Sequence, residues 1–408
     1  VISTNPAVPA LGTHPFPRIA ALLEGITPSC GGTPLDLTIG EPRFAPPSWL
    51  SDALGARQDL LGKYPPNQGP EWFRRAAAEW LETRFGLTPG AVGLDAVFPT
   101  SGAREALFQL GLLADATDGS RRLLAMPTPH YAPYRAAAAL CGLQAFNMPA
   151  EAAHGYLPDL DLIDEDRGPR TAMLILCTPS NPEGAVAPPG YLRRAITLAR
   201  TYGFILAVDE CYSEIYLGEE PTGALRVCQD MHREGEGDPF RNVLVVNSLS
   251  KRSSSAGLRT GVVAGDRALI ADFIALRSYI GGTTPLPNLA AAAELLADET
   301  HVKAVRESYR DTFAAADEVL SGVPGYRRPE AGMFLWLRVR DDEEAAVRAW
   351  RDAAVRGVPG SYLGPEGWDG SHPGKGHLRL AMVHGARETA AALTRLVPVL
   401  REIGVVAE

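Results

Sequence analysis

The chain has 408 residues, 46% of them hydrophobic and 21% charged, and a formal net charge of −9. That length and apolar share predict at least one large core and a division into two domains. The acidic balance excludes a nucleic-acid footprint and no apolar run approaches the roughly 20 residues of a membrane span, so a soluble, cytoplasmic protein is expected.

Residues 1 to 44 carry several prolines and no sheet pattern. The opening Val1-Ile2-Ser3-Thr4-Asn5-Pro6 has no basic segment leading into an apolar core, so no secretory signal is expected. Cys30, Cys141, Cys177, Cys211 and Cys228 form no C-x-x-C pair; they read as buried thiols of a reducing compartment, and no metal site is expected. From about Thr100 to Gly265, short β-branched or apolar runs alternate with amphipathic ones, the pattern of βαβ units in a doubly wound, mostly parallel sheet. The expected strands are Arg122 to Met126, Leu143 to Asn147, Ala172 to Cys177, Phe204 to Val208, Val243 to Asn247 and Gly261 to Ala264. The expected helices include Arg104 to Leu113, Tyr131 to Leu140 and Gly190 to Tyr202. After Pro287 come long Ala-, Glu- and Arg-rich helices and the strand-like runs Met333 to Arg338 and His377 to Leu380, which predict a smaller α+β domain.

Chemistry-bearing residues cluster where these strands end. Ser101-Gly102-Ala103-Arg104 opens a helix, and small residues there leave backbone N–H groups free to converge on a phosphate, although an ordinary capped helix reads the same way. Thr178-Pro179-Ser180-Asn181-Pro182-Glu183-Gly184 must turn after its strand, and a cis Asn181-Pro182 bond is expected. Asp209 emerges from the apolar run Phe204 to Val208; buried there, its carboxylate needs a cation, with a helix N-cap as the alternative. Lys251 follows the strand Val243 to Asn247, and Ser248 and Arg259 supply the hydroxyl and cation that a phosphorylated aldehyde bound to the lysine would need. A solvated lysine in a Ser-rich loop is the bland alternative. Arg379 alternates with Leu378 and Leu380, and its guanidinium fork suits a carboxylate, or simply a sheet-edge surface.

Ser248-Leu249-Ser250-Lys251-Arg252 followed by Gly257-Leu258-Arg259-Thr260-Gly261 resembles the lysine signature of the fold-type I, class I/II aminotransferases, with Ser255 and Thr260 standing where apolar residues are commoner. The resemblance covers nearly the whole chain. It implies a large domain (45–286) with a mostly parallel seven-stranded sheet, a smaller α+β domain (287–408) and an arm (1–44) packed with the latter. It implies pyridoxal 5′-phosphate held covalently by Lys251, its ring nitrogen met by Asp209 and its ring oxygen by Tyr212 and Asn181. Tyr131 would stack on the ring, and Gly102, Ala103, Arg104, Ser248 and Arg259 would surround the phosphate. Tyr64, in Lys63-Tyr64-Pro65, would reach the neighbouring subunit's coenzyme in a homodimer. Gly40, Asn181 and Arg379 would take the substrate carboxylate. His130 stands where an apolar or aromatic residue is commoner; it reads as a substrate contact or a surface histidine.

Ile39-Gly40-Glu41-Pro42, Pro359-Gly360-Ser361-Tyr362-Leu363 and Pro373-Gly374-Lys375-Gly376-His377-Leu378-Arg379 are similar to segments of bacterial N-succinyldiaminopimelate aminotransferases. That likeness implies transfer from glutamate to N-succinyl-2-amino-6-oxopimelate in lysine biosynthesis. A carbon-sulfur lyase, an aspartate or aromatic aminotransferase, and a non-catalytic regulator on the same fold are the alternatives. The regulator is disfavoured by the acidic charge.

Overall fold

The computed structural model describes residues 5–114, 119–235 and 237–404. The opening residues 1–4, read above for a signal, lie outside it. In chain order the strands are β1 (Leu35–Asp36), β2 (Val97–Thr100), β3 (Leu123–Thr128), β4 (Gln144–Pro149), β5 (Thr171–Cys177), β6 (Ile205–Asp209), β7 (Val243–Ser248), β8 (Gly261–Gly265), β9 (Phe334–Arg338), β10 (Val355–Arg356), β11 (Val358–Pro359) and β12 (His377–Ala381). Seven of them form one sheet in the order β2-β8-β7-β6-β5-β3-β4. β8 runs antiparallel to both neighbours, and the remaining pairs are parallel.

Each of the six expected strands is present, with ends displaced by no more than about two residues, as hydrogen-bond assignments at element ends commonly are. β3 continues through Pro127, where the sequence reading stops it. Its pairing with β5 is recorded only as far as Ala125, while Pro127 and Thr128 pair with the edge strand β4. A proline is tolerated where one flank of the strand is open.

Strands β5, β6 and β7 are buried along their whole length, as parallel strands covered on both faces must be. Their period of two separates them into two cores. Leu174, Leu176, Leu206, Val208, Val243 and Val245 face one cluster, where Phe73 and Leu81 of the helix Glu71–Phe85 and Ile196 of Pro189–Tyr202 pack. Met173, Ile175, Ile205, Ala207, Leu244 and Val246 face the other, against Leu107 of Ala103–Leu110, Tyr134 of Ala132–Leu140 and Phe273 of Arg267–Ile280.

A second, antiparallel sheet has the order β11-β12-β9. It shares an apolar cluster with the helices Thr300–Leu320, Asp342–Ala353 and Ala386–Ile403. The amino-terminal segment joins this part of the molecule: β1 pairs in parallel with β10, Leu37 lies in the same cluster, and Ile19 and Leu23 pack with Trp350 and Val358. The helix Leu286–Ala297, which the sequence reading puts almost entirely with the smaller unit, packs Leu289, Ala292 and Leu295 into the larger sheet's cluster beside Phe73. Its apolar face is thus buried across the expected division at 286/287.

Candidate active site

A cavity of about 710 Å³ opens where β3, β5, β6 and β7 end, and Gly40, Phe334 and Arg379 close it from the side of the smaller sheet. Open α/β sheets place ligands at these carboxyl ends because the chain leaves each strand there with free side chains and backbone groups.

Lys251 sits on the one-turn helix Leu249–Arg252 that follows β7, started by the Ser248 side chain accepting from Ser250 N at 3.2 Å. Its Nζ donates to the Gly40 carbonyl. Burial lowers its pKa to about 8; Cys211 and Glu41 resist that shift, and Arg104 and Arg259 add to it. The protonated form still predominates near physiological pH, but the neutral fraction, the form a nucleophilic lysine needs, is far larger than for an exposed lysine. The next residue, Arg252, is buried and donates to the Leu295 carbonyl at 2.7 Å, tying the lysine's loop to the helix Leu286–Ala297.

Asp209 ends β6 and is 3% exposed. The Tyr134 hydroxyl donates to its Oδ2 at 2.6 Å and Cys211 N to its Oδ1 at 3.1 Å. Burial nonetheless raises its pKa, against those hydrogen bonds and the charge of Lys251. A cation at the cavity floor would reverse that rise. Tyr134 lies three residues beyond Tyr131, and that spacing was the available sequence signal for it.

At the opposite wall, Arg379 Nη2 donates to the Thr38 carbonyl at 2.8 Å and Nη1 to Asn181 Oδ1 at 3.2 Å. Asn181 Nδ2 in turn donates to the Tyr212 hydroxyl at 3.3 Å. The guanidinium lies over the Phe334 ring, 4.4 Å from its centre, and burial lowers its pKa to about 10. Its buried Nε has no hydrogen-bond partner. A side chain at Gly40 would run into the Phe334 ring, so only glycine lets this backbone lie so close. The Asn181-Pro182 bond is cis as expected; Thr128-Pro129 and Thr178-Pro179 are cis as well.

The third cluster surrounds the start of the helix Ala103–Leu110. Gly102 precedes it at φ +89°, and a Cβ there would collide with the Arg259 guanidinium. Arg259 itself adopts φ +53° and donates to the carbonyls of Ser101 at 3.0 Å and Ala256 at 2.9 Å. Arg104 Nε donates to the Tyr131 hydroxyl at 2.8 Å.

Of the residues singled out from sequence, Gly40, Ala103, Arg104, Tyr131, Asn181, Asp209, Tyr212, Ser248, Lys251, Arg259 and Arg379 line the one cavity, and Gly102 abuts it. Tyr64 does not line it and is fully exposed. The surface alternative for His130 is corrected: it is buried, faces the cavity and stacks on Tyr134, and Nδ1 lies 3.0 Å from the Pro127 carbonyl. Burial pulls its pKa down to about 4, so it is neutral at physiological pH. Sequence reasoning also missed Thr38, His14, Arg18, Arg135 and Tyr362, which gather from distant segments.

The donor set fits pyridoxal phosphate. A partly neutral amine suits its aldehyde, and a buried, cation-seeking carboxylate suits its ring nitrogen. A helix start beside Ser248 and Arg259 suits its phosphate. The family model for aminotransferase class I and II matches residues 33–396. The chain is 32% identical over 366 residues to a 4-dedimethylamino-4-oxo-anhydrotetracycline transaminase of Streptomyces rimosus, covering 89% of this chain and 92% of that one. The crystal structure of an aminotransferase from Neisseria meningitidis superimposes with a TM-score of 0.91 at 33% identity, covering 98% of this chain and 100% of the other. A probable N-succinyldiaminopimelate aminotransferase from Thermus thermophilus superimposes with a TM-score of 0.79 at 27% identity, covering 94% and 99%.

Proposed function

The chain belongs to the class I and II aminotransferases, pyridoxal phosphate enzymes acting on amino and 2-oxo acids, and we propose that it transfers the amino group of glutamate to N-succinyl-2-amino-6-oxopimelate. The observation that carries a carboxylate-bearing substrate is the Arg379 cluster, which presents a buried guanidinium to the same cavity as Lys251. Likeness to the Thermus thermophilus structure supports the acceptor. A ring ketone of the kind in the Streptomyces rimosus relative's name is the second reading, favoured by that relative's higher identity.

When bound, the coenzyme supplies an aldehyde for the amino group and a ring that draws electrons from the substrate's Cα. Lys251 Nζ would hold the coenzyme and, once freed, would carry the proton away from the donor's Cα and, in the second half-reaction, bring one to the acceptor's Cα. Asp209 would hold the protonated ring nitrogen, with Tyr134 and Cys211 N fixing its carboxylate. Tyr212 and Asn181 would meet the ring oxygen, and Tyr131 would lie on the ring face. Ala103 N, Arg104 N, Ser248 and Arg259 would hold the phosphate, with Gly102 letting Arg259 approach. Arg379 and the Gly40 backbone would fix the substrate carboxylate and so the direction of the breaking Cα–H bond. Tyr64, fully exposed on this chain, would complete the neighbouring subunit's site in a cytoplasmic homodimer.

The test is a panel of amino donors added to holoenzyme while the coenzyme's visible band is followed, then individual oxo acids to restore it. Restoration by N-succinyl-2-amino-6-oxopimelate supports the acceptor; restoration only by ring ketones supports the second reading. Lys251→Ala is expected to lose the lysine-bound band and several orders of magnitude in turnover. Wild-type turnover in that variant would contradict the assignment.

A further inference from the structure

The cavity's outer wall carries a cationic pair that the chemistry at Lys251 does not use. Arg18, on the helix Pro15–Leu22, and Arg135, on Ala132–Leu140, both line the cavity with Arg379 and Lys251. Both are half-buried. The Arg18 guanidinium carbon lies over the Tyr362 ring, 3.6 Å from its centre, which holds the group at the cavity wall. Arg135 Nη2 donates to the Leu11 carbonyl, which anchors one edge of its fork.

Among the described residues, neither guanidinium is ion-paired with a carboxylate. Each instead faces further positive charge. Arg135's pKa is lowered by burial and then by Arg18, and that of His14 by burial, Arg104 and Arg135. The acids nearby are engaged elsewhere: Asp209 at the floor with Tyr134, Glu41 close to Lys251, and Glu343 beside Tyr362. Like charges held together in a partly dry wall repel, and an entering anion removes that repulsion.

Resting on the transaminase reading above, we infer that Arg18 and Arg135 form a second anion subsite that receives the distal carboxylate of a dicarboxylic amino or oxo acid, while Arg379 holds the α-carboxylate. Guanidinium groups from two parts of one cavity lining select substrates by the presence of a second negative charge. Each fork adds directional hydrogen bonds, so an amide of the same shape is a poor substitute.

The experiment compares kcat/KM for L-glutamate and its neutral isostere L-glutamine in holoenzyme, Arg18→Gln and Arg135→Gln. The wild-type preference for glutamate should be marked, and each substitution should reduce the glutamate-to-glutamine ratio about 10- to 100-fold, the effect of losing charge-assisted hydrogen bonds. A measurement on the unmutated holoenzyme guards against damaged variants: glutarate should displace the coenzyme's spectrum at about 10- to 100-fold lower concentration than pentanoate. A ratio unmoved by both substitutions, or equal affinity for glutarate and pentanoate, overturns the subsite alone. Holoenzyme discharged by no amino donor at all overturns the transaminase reading itself.

Discussion

Replacing Tyr134 by Phe removes one oxygen from the centre of the site and little else. The ring fills the same space between His130, 6.2 Å away and stacked, and Tyr131, 6.0 Å away and edge-on. A volume-conserving swap of this kind costs the fold under about 1.5 kcal/mol. What is lost is the 2.6 Å hydrogen bond to Asp209 Oδ2. A hydrogen bond to a charged group contributes about 1.5–3 kcal/mol, which at about 1.36 kcal/mol per pKa unit is about one to two units. Burial already raises Asp209, so the variant's carboxyl goes higher still and its charged form is less available to a ring nitrogen. Tyr134→Phe should therefore bind pyridoxal phosphate about 10- to 100-fold more weakly and lower kcat by a similar factor. Equilibrium dialysis of the coenzyme, steady-state kinetics and a thermal melt measure the separate consequences. Wild-type coenzyme affinity together with wild-type kcat would refute the reasoning. So would a fall in thermal stability large enough to explain both losses.

Further outcomes follow from neighbouring groups. Arg379→Lys keeps the charge but cannot contact Asn181 and Thr38 as a fork, so kcat/KM for amino donors should fall about 10- to 100-fold; unchanged steady-state kinetics would contradict this. Because Lys251 is lowered to about 8, the rate at which coenzyme-free protein captures pyridoxal phosphate should rise with pH and level off above about 8. A rise continuing to the ordinary lysine value of about 10.4 would contradict it. Glu183, 2% exposed in the Asn181 loop, is raised by burial from 4.5 to about 8. Between those values the folded state holds a proton the unfolded chain has released, so this group's stabilisation is present below 4.5 and lost as pH rises through 8. Glu183→Gln should flatten the fall of Tm with pH across that window, and an unchanged slope would sink the assignment.

The sheet was legible because β5, β6 and β7 are continuous apolar runs and their ends carry Asn181, Asp209 and Lys251. Periodicity locates a strand, and chemistry just beyond its end locates a ligand. The less legible contacts are of another kind. Tyr134 looks like a core aromatic until its hydroxyl is seen on Asp209, 75 residues away in sequence. Arg84 and Arg306 both pair with the buried Glu214, at 2.6 and 2.7 Å, clamping the segment after Tyr212, yet each alone reads as a solvated helix charge. The packing of the helix Leu286–Ala297 is not legible because it is alanine-rich, like those that follow, and only its contacts show which core it serves. Arg18 and Arg135 belong to segments with no local pattern in common; the cavity wall alone unites them.

The pairing of β1 with β10 has a consequence for biosynthesis. Thr38 and Gly40 reach the site because Leu35 and Asp36 are registered against Val355 and Arg356, and the Thr38 carbonyl meets Arg379 across 341 residues of sequence. A nascent chain that has already folded its parallel sheet still has nothing for this early segment to pair with until the ribosome has made the last part. Loop closure over such separations is slow. Until then the amino-terminal stretch lacks its partner strand, and a polypeptide released before residue 355 would contain Asn181, Asp209 and Lys251 but neither β10 nor Arg379.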